Sequence, residues 1–194
     1  MVSKATDFDL LTGPSDEVAP RLLGCELVRL VDGQELVGRI VETEAYDRSD
    51  AASHSYRGET PRTAIMFGPP GFLYVYFTYG MHYCCNVVVG PAGHGAAGRI
   101  RALEPLGGLD VMEQNRAGRS GLDLTNGPAK LCQALQITKA QNGTDLRDGA
   151  VRLRIRPPVP QTAIVQTTRI GISQAKDVPW RFYLKDNPFV SRLA

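Results

Sequence analysis

The apolar and polar positions of the chain fall into short runs broken by turn residues. LGCELVRLVDGQELVGRIVETEAY, residues 23–46, divides around Asp32-Gly33 into two strands, because Asp-Gly between apolar runs is a common hairpin signal. GFLYVYFTYGMHYCCNVVVG, residues 71–90, predicts a second hairpin with Gly80 near its turn. GRIRALEPL predicts another short strand, ended by Pro105 and the glycines after it, and AVRLRIR and AIVQTTRIGI predict two more. Between Gly107 and Arg119, GLDVMEQNRAG suits a short helix. In NGPAKLCQALQI, Asn126 can cap, Pro128 suits the first turn, and Leu131, Cys132 and Leu135 fall at core-facing spacing. Strands mixed with a few helices, without regular βαβ alternation, predict an α+β fold. The expectation is one domain over 1–194 with a mixed, mostly antiparallel sheet.

Composition supports that reading: 194 residues, 43% of them hydrophobic, are enough for one substantial core. The longest apolar runs, LYVYF and CCNVVVG, fall far short of the roughly 18 to 20 residues of a membrane-spanning helix. The start, MVSKATDFDLLTGP, has no basic stretch followed by an apolar core, so no signal peptide and no membrane partner are expected, and the default address is the cytoplasm. Cys25, Cys84, Cys85 and Cys132 form no C-x-x-C pair and read as reduced, buried thiols. Net charge is only +2, but residues 1–60 hold 6 Lys+Arg against 12 Asp+Glu while residues 61–194 hold 16 against 8. The later part can therefore offer a cationic surface to a polyanion, or simply carry unevenly spread surface charge.

Chemistry concentrates in a few places. In ETEAY, alternate residues share a strand face, so Glu42, Glu44 and Tyr46 project together, and His54 returns after a loop of small residues. That face is either a wet strand end or a site where a carboxylate acts as a general base. Tyr74 and Tyr76 share one face of the second hairpin, whereas Tyr79 sits beside Gly80 and Met81 at its turn. An aromatic there suits a wedge between stacked bases, and core packing explains the same letters. Arg99 and Arg101 share another face; Arg101 suits holding a phosphate, orienting a water, or pairing with Glu104. The NGPAK helix start, with Lys130, suits a phosphate contact or an ordinary exposed cap. His54, His82 and His94 lack zinc-site spacing, no zinc-deaminase pattern is present, and neither a P-loop nor a G-x-G-x-x-G run occurs, so no metal and no cofactor is expected.

RIVETEAY, AASHS, TPR, MFGPPGFLYVYFTYGMHYCCNVV, RIRALEPL, LTNGPAKLCQAL and PWRFYLKDNPFVS, taken in order from about Leu22 to Val190, resemble the alkyladenine (3-methyladenine) DNA glycosylase family. The resemblance implies a fold like the C-terminal domain of methionyl-tRNA formyltransferase. It also implies a monomeric, monofunctional enzyme without cofactor, cytoplasmic and nucleoid-associated if bacterial. Such an enzyme flips damaged purines from double-stranded DNA and hydrolyses the N-glycosidic bond; a binding module without catalysis is the alternative. By the same resemblance Glu44 is the base that activates water, Arg101 positions that water, and the Ile170 carbonyl completes its shell. Tyr46, His54 and Tyr76 line the pocket, Asn86 crowds the exocyclic amine of guanine, and Tyr79 is the wedge, with Met81 beside it at the DNA. Two departures stand out: the loop DRSDAAS is one residue shorter than in vertebrate members, and Arg99 replaces an apolar residue.

Overall fold

The structure, a computed structural model, describes residues 6–192. Three α-helices, α1 (Ser15–Arg21), α2 (Leu109–Asn115) and α3 (Pro128–Ala134), accompany eight strands. The strands are β1 (Glu26–Val31), β2 (Gln34–Tyr46), β3 (Leu73–Thr78), β4 (His82–Val89), β5 (Ala96–Gly107), β6 (Val151–Arg154), β7 (Ile164–Thr167) and β8 (Arg181–Leu184). They form one sheet in the order β3-β4-β5-β2-β1-β6, with β8 pairing β2 and β7 pairing β8. Every pairing among these strands is antiparallel, so the parallel component expected of a mixed sheet does not occur among the described residues.

Both predicted hairpins form. Asp32 and Gly33 link Val31 to its partner Gln34 with φ of 48° and 83°, the left-handed pair that a tight two-residue hairpin turn requires. The long strand β2 keeps β5 along one edge and exchanges β1 for β8 along the other, with register shifts between Ile40 and Thr43. Gly38 permits this close packing, since a Cβ there would lie 2.8 Å from the Leu103 side chain.

Several expectations are corrected. Strand β5 runs through Pro105 to Gly107, because Pro105 pairs with Gly38 at a register shift, where a missing N–H costs no ladder bond. Gly127, not Asn126, precedes α3, and no side chain caps it. The AIVQTTRIGI segment leaves the sheet after Thr167. The short α1 and β8 were not expected.

Side-chain parity gives the sheet two unlike faces. Leu73, Val75, Cys85, Val87 and Ile100 join the main core with Val18, Leu22, Leu131 and Cys132 from the helices. Thr43 points the same way and donates to the Ala19 carbonyl of α1 at 2.9 Å. The alternate positions Tyr74, Val88 and Ala97 pack in a second, smaller cluster with Met66 on the opposite face. Glu42, Glu44, Arg99 and Arg101 share that second face. All four cysteines are buried and unpaired. No helix of the described residues is long and apolar enough to cross a membrane.

Candidate active site

Glu42 and Glu44 have no exposed surface. Buried carboxylates stay charged only when paired and hydrogen-bonded, and one guanidinium serves both. Arg101 donates from Nε to Glu42 Oε1 at 3.1 Å and from Nη1 to Glu44 Oε1 at 3.2 Å. Beyond that shared partner the two diverge. Glu42 also accepts on Oε1 from Arg181 Nε at 2.7 Å and the Ser191 hydroxyl at 3.0 Å, and on Oε2 from the Ser191 amide at 2.7 Å, so four protein donors converge on it. Glu44 accepts from the Ile170 amide at 2.8 Å on Oε1 and from the Tyr46 hydroxyl at 2.8 Å on Oε2. The nearest further cation, Arg99 Nη1, lies 3.6 Å from Oε2. Of an ionised carboxylate's roughly four acceptor positions, Glu44 thus has three filled and the fourth on Oε2.

Beside this network, walled by the Glu44 partners Tyr46, Arg101 and Ile170, opens a cleft of about 410 Å³, of a size that suits a small planar ligand. Tyr46, His54, Tyr76, Asn86, Arg101 and Ile170 line it, and Tyr79 stands at its edge. The His54 ring packs edge-on against Tyr76 at 4.5 Å between centroids, and its Nδ1 is 3.1 Å from the Tyr74 hydroxyl. Asn86 is fixed by its side-chain amide donating to the Tyr74 carbonyl at 3.0 Å. The structure therefore gathers the predicted pocket residues around one cleft. At Ile170 the amide N–H donates to Glu44.

Two residues that sequence reasoning missed hold this arrangement. Arg169 and Asp50 form a fully buried ion pair, with Arg169 Nη2 donating to Asp50 Oδ1 at 3.0 Å. Arg169 also donates to the Ala45 carbonyl at 2.9 Å, and its guanidinium lies 4.8 Å from the Tyr46 ring centroid. One side chain thus fixes Tyr46 and presents its neighbour Ile170 to Glu44. Arg169 sits directly before Ile170 in TTRIGI, but its partner lies 119 positions away, so nothing local announced the pair.

At the hairpin tip the Met81 amide donates to the Thr78 carbonyl at 3.3 Å, with Tyr79 and Gly80 both at positive φ, 51° and 68°. A bulky residue in that region is strained by roughly 1–2 kcal/mol. Tyr79 is 80% exposed and Met81 69%. Lys130 is already engaged, donating to Asp123 Oδ1 at 2.5 Å and to Asn126 Oδ1 at 2.8 Å.

Electrostatics sets the protonation of the pocket. Burial and then the Glu44 charge push the Tyr46 hydroxyl well above its usual value, so it remains a donor to Glu44. Desolvation against the tyrosines, then the Arg62 and Arg99 charges, push His54 down to about 4. His54 is thus neutral near pH 7, which removes it as a ready proton donor. In an NMR titration its imidazole is expected to stay neutral at pH 6, where an unperturbed histidine is mostly protonated. A midpoint at or above 6.5 would contradict this electrostatic picture.

With this geometry in view, the comparisons are informative. Residues 9–188 match the family model described as methylpurine-DNA glycosylase. A protein of Carboxydothermus hydrogenoformans is 54% identical over 176 residues, covering 90% of this chain and 92% of its own. One of Methanoculleus marisnigri is also 54% identical, over 178 residues with the same coverage, and one of Nitrosospira multiformis is 49% identical over 192 residues, 99% of this chain and 95% of its own. Each is named as a candidate 3-methyladenine DNA glycosylase. This chain belongs to the methylpurine-DNA glycosylase family.

Proposed function

We propose that the protein removes damaged purines, among them 3-methyladenine, hypoxanthine and related alkyl and etheno adducts, from double-stranded DNA by hydrolysing the N-glycosidic bond. The observation that carries this reading is Glu44: a carboxylate without solvent exposure, oriented by Arg101, Ile170 and Tyr46, three residues that themselves line the cleft. The bond to the base breaks with its electron pair going to the purine, and positive charge develops on the sugar. Glu44 stabilises that charge and takes a proton from the water whose oxygen joins C1′. In this reading Arg101 and the Ile170 amide are positioning groups that aim the carboxylate.

The sugar carbon cannot be reached inside the stack, so the purine is flipped into the cleft, between Tyr46 and the His54–Tyr76 pair, and Asn86 crowds the amine of guanine. Tyr79 fills the gap in the duplex, offsetting an unstacking cost of a few kcal/mol, with Met81 entering beside it. Lys130 would meet a phosphate only by releasing Asp123. The protein acts as a monomer in the cytoplasm, at the nucleoid in a bacterium, and its fold is that of the formyltransferase C-terminal domain.

The parent protein, in EDTA, is expected to release base from duplexes carrying 3-methyladenine or hypoxanthine, without a borohydride-trapped adduct. Tight binding to an abasic analogue with no release from either duplex would leave a damage-binding module instead. Release that EDTA abolishes would point to metal chemistry.

The strained tip supplies an independent check. Tyr79→Asn creates Asn-Gly, the pair best suited to two consecutive positive-φ positions, and is expected to stabilise the fold by roughly 0.5–1 kcal/mol. It should also slow release from fully paired DNA by roughly tenfold or more, since a few kcal/mol of unstacking loses its compensation. Unchanged release in single-turnover assays would remove Tyr79 from the flipping step.

A further inference from the structure

Arg99 lies on β5 between two site residues, in register with Glu44 on one neighbouring strand and Asn86 on the other. It lines the cleft, and its side chain is only 14% exposed. Its contacts are incomplete for a buried guanidinium. Nη2 donates to Cys84 Sγ at 3.3 Å, Nη1 stands 3.6 Å from Glu44, and the buried Nε has no protein partner. The surrounding charges make this notable. Glu42 and Glu44 are balanced by Arg101 and Arg181, and Asp50 by Arg169. Arg99 is the surplus positive charge of the buried site, and a buried cation without full pairing is costly unless a ligand supplies the missing acceptor.

We propose that Arg99 is a specificity-determining residue that favours damaged purines which are neutral when bound, such as hypoxanthine and ethenoadenine, over N-alkylpurines that are bound as cations, such as 3-methyladenine. This rests on the glycosylase reading above and deepens it. When the C1′–N9 bond of a neutral lesion breaks, the purine keeps the electron pair and leaves as an anion, taking its proton from solvent afterwards. A fixed guanidinium in the base pocket stabilises that anion and can donate to its ring nitrogens or carbonyl oxygen. A cationic purine leaves as a neutral molecule and gains nothing comparable. While bound, moreover, it is repelled by Arg99, whose charge is little screened by water at 14% side-chain exposure. Arg99 would thus assist the leaving group electrostatically in a pocket where His54 is uncharged.

The test is single-turnover release by the full chain from two duplexes, one carrying hypoxanthine and one carrying 3-methyladenine, for the parent, Arg99→Leu, Arg99→Gln and Arg99→Lys. The ratio of the two rates is the readout, because any effect passing through Glu44 is common to both reactions and cancels. The uncharged variants are expected to lower the hypoxanthine to 3-methyladenine ratio by roughly tenfold or more, and Arg99→Lys to hold it within about threefold of the parent. Two uncharged variants are used so that misfolding of one does not decide the matter. Release of both bases with an unchanged ratio in Arg99→Gln or Arg99→Leu would overturn the role of Arg99 and leave the glycosylase reading intact. Release of neither base by the parent is a different result, which overturns that reading and this inference with it.

Discussion

Replacing Glu44 with glutamine is expected to slow single-turnover base release by about 10²–10⁴-fold, the range that loss of a positioned general base typically costs. The substitution is nearly isosteric, so its effect can be separated from unfolding. The side-chain oxygen would remain toward Arg101 and the Ile170 amide, which both donate, and the new amide group would occupy the position of Oε2. There the Tyr46 hydroxyl can turn and accept instead of donating, so that hydrogen bond is kept, while Arg99, 3.6 Å from the same position, loses its carboxylate partner. What cannot be restored is the negative charge of the carboxylate and, in the proposed reaction, its role as proton acceptor. Binding to a duplex with an abasic analogue should stay within a few-fold of the parent, and thermal unfolding should remain cooperative. Release within tenfold of the parent by such a folded, DNA-binding variant would exclude Glu44 as the base.

The two carboxylates of ETEAY show what was legible in the sequence. Strand alternation placed Glu42, Glu44 and Tyr46 on one face, and that face does carry the charged network and the cleft. Alternation could not tell the carboxylates apart, because what distinguishes them comes from far away. Ser191 reaches Glu42 across 149 positions, and the Ile170 amide reaches Glu44 across 126. The hairpins were legible for a local reason: Asp32-Gly33 and Gly80 are residues that tolerate the backbone angles the turns demand. Helix α1 was not, since it has only seven residues and contains Pro20, leaving Asp16 and Glu17 in its first turn as a faint signal. The strand β8 is four residues long and owes its place to pairing with β2 rather than to its own pattern. Lys130 read as an exposed cation because Asp123, its partner seven residues earlier, belongs to a separate short helical turn.

Glu42 carries the second large expectation, this one on stability. Glu42→Ala removes the acceptor of Arg101 Nε, Arg181 Nε and both Ser191 donors at once, leaving two guanidinium groups without their shared carboxylate. Breaking a buried ion pair from one side typically costs about 3–5 kcal/mol, a large share of the 5–15 kcal/mol that holds an ordinary domain together. Urea unfolding is expected to show a loss of that size, whereas Glu17→Ala, which breaks a pair exposed on both sides, should change stability by less than about 1 kcal/mol. Because Arg101 also orients Glu44, Glu42→Ala should reduce base release even at temperatures where the protein remains folded. The reduction should be smaller than for Glu44→Gln, since the proton acceptor itself survives. A loss below about 1 kcal/mol would mean that water enters to replace Glu42 and that the burial of this network is not what fixes Arg101. Glu44 would then be positioned chiefly by Tyr46 and by the Ile170 amide that the Arg169–Asp50 pair holds in place.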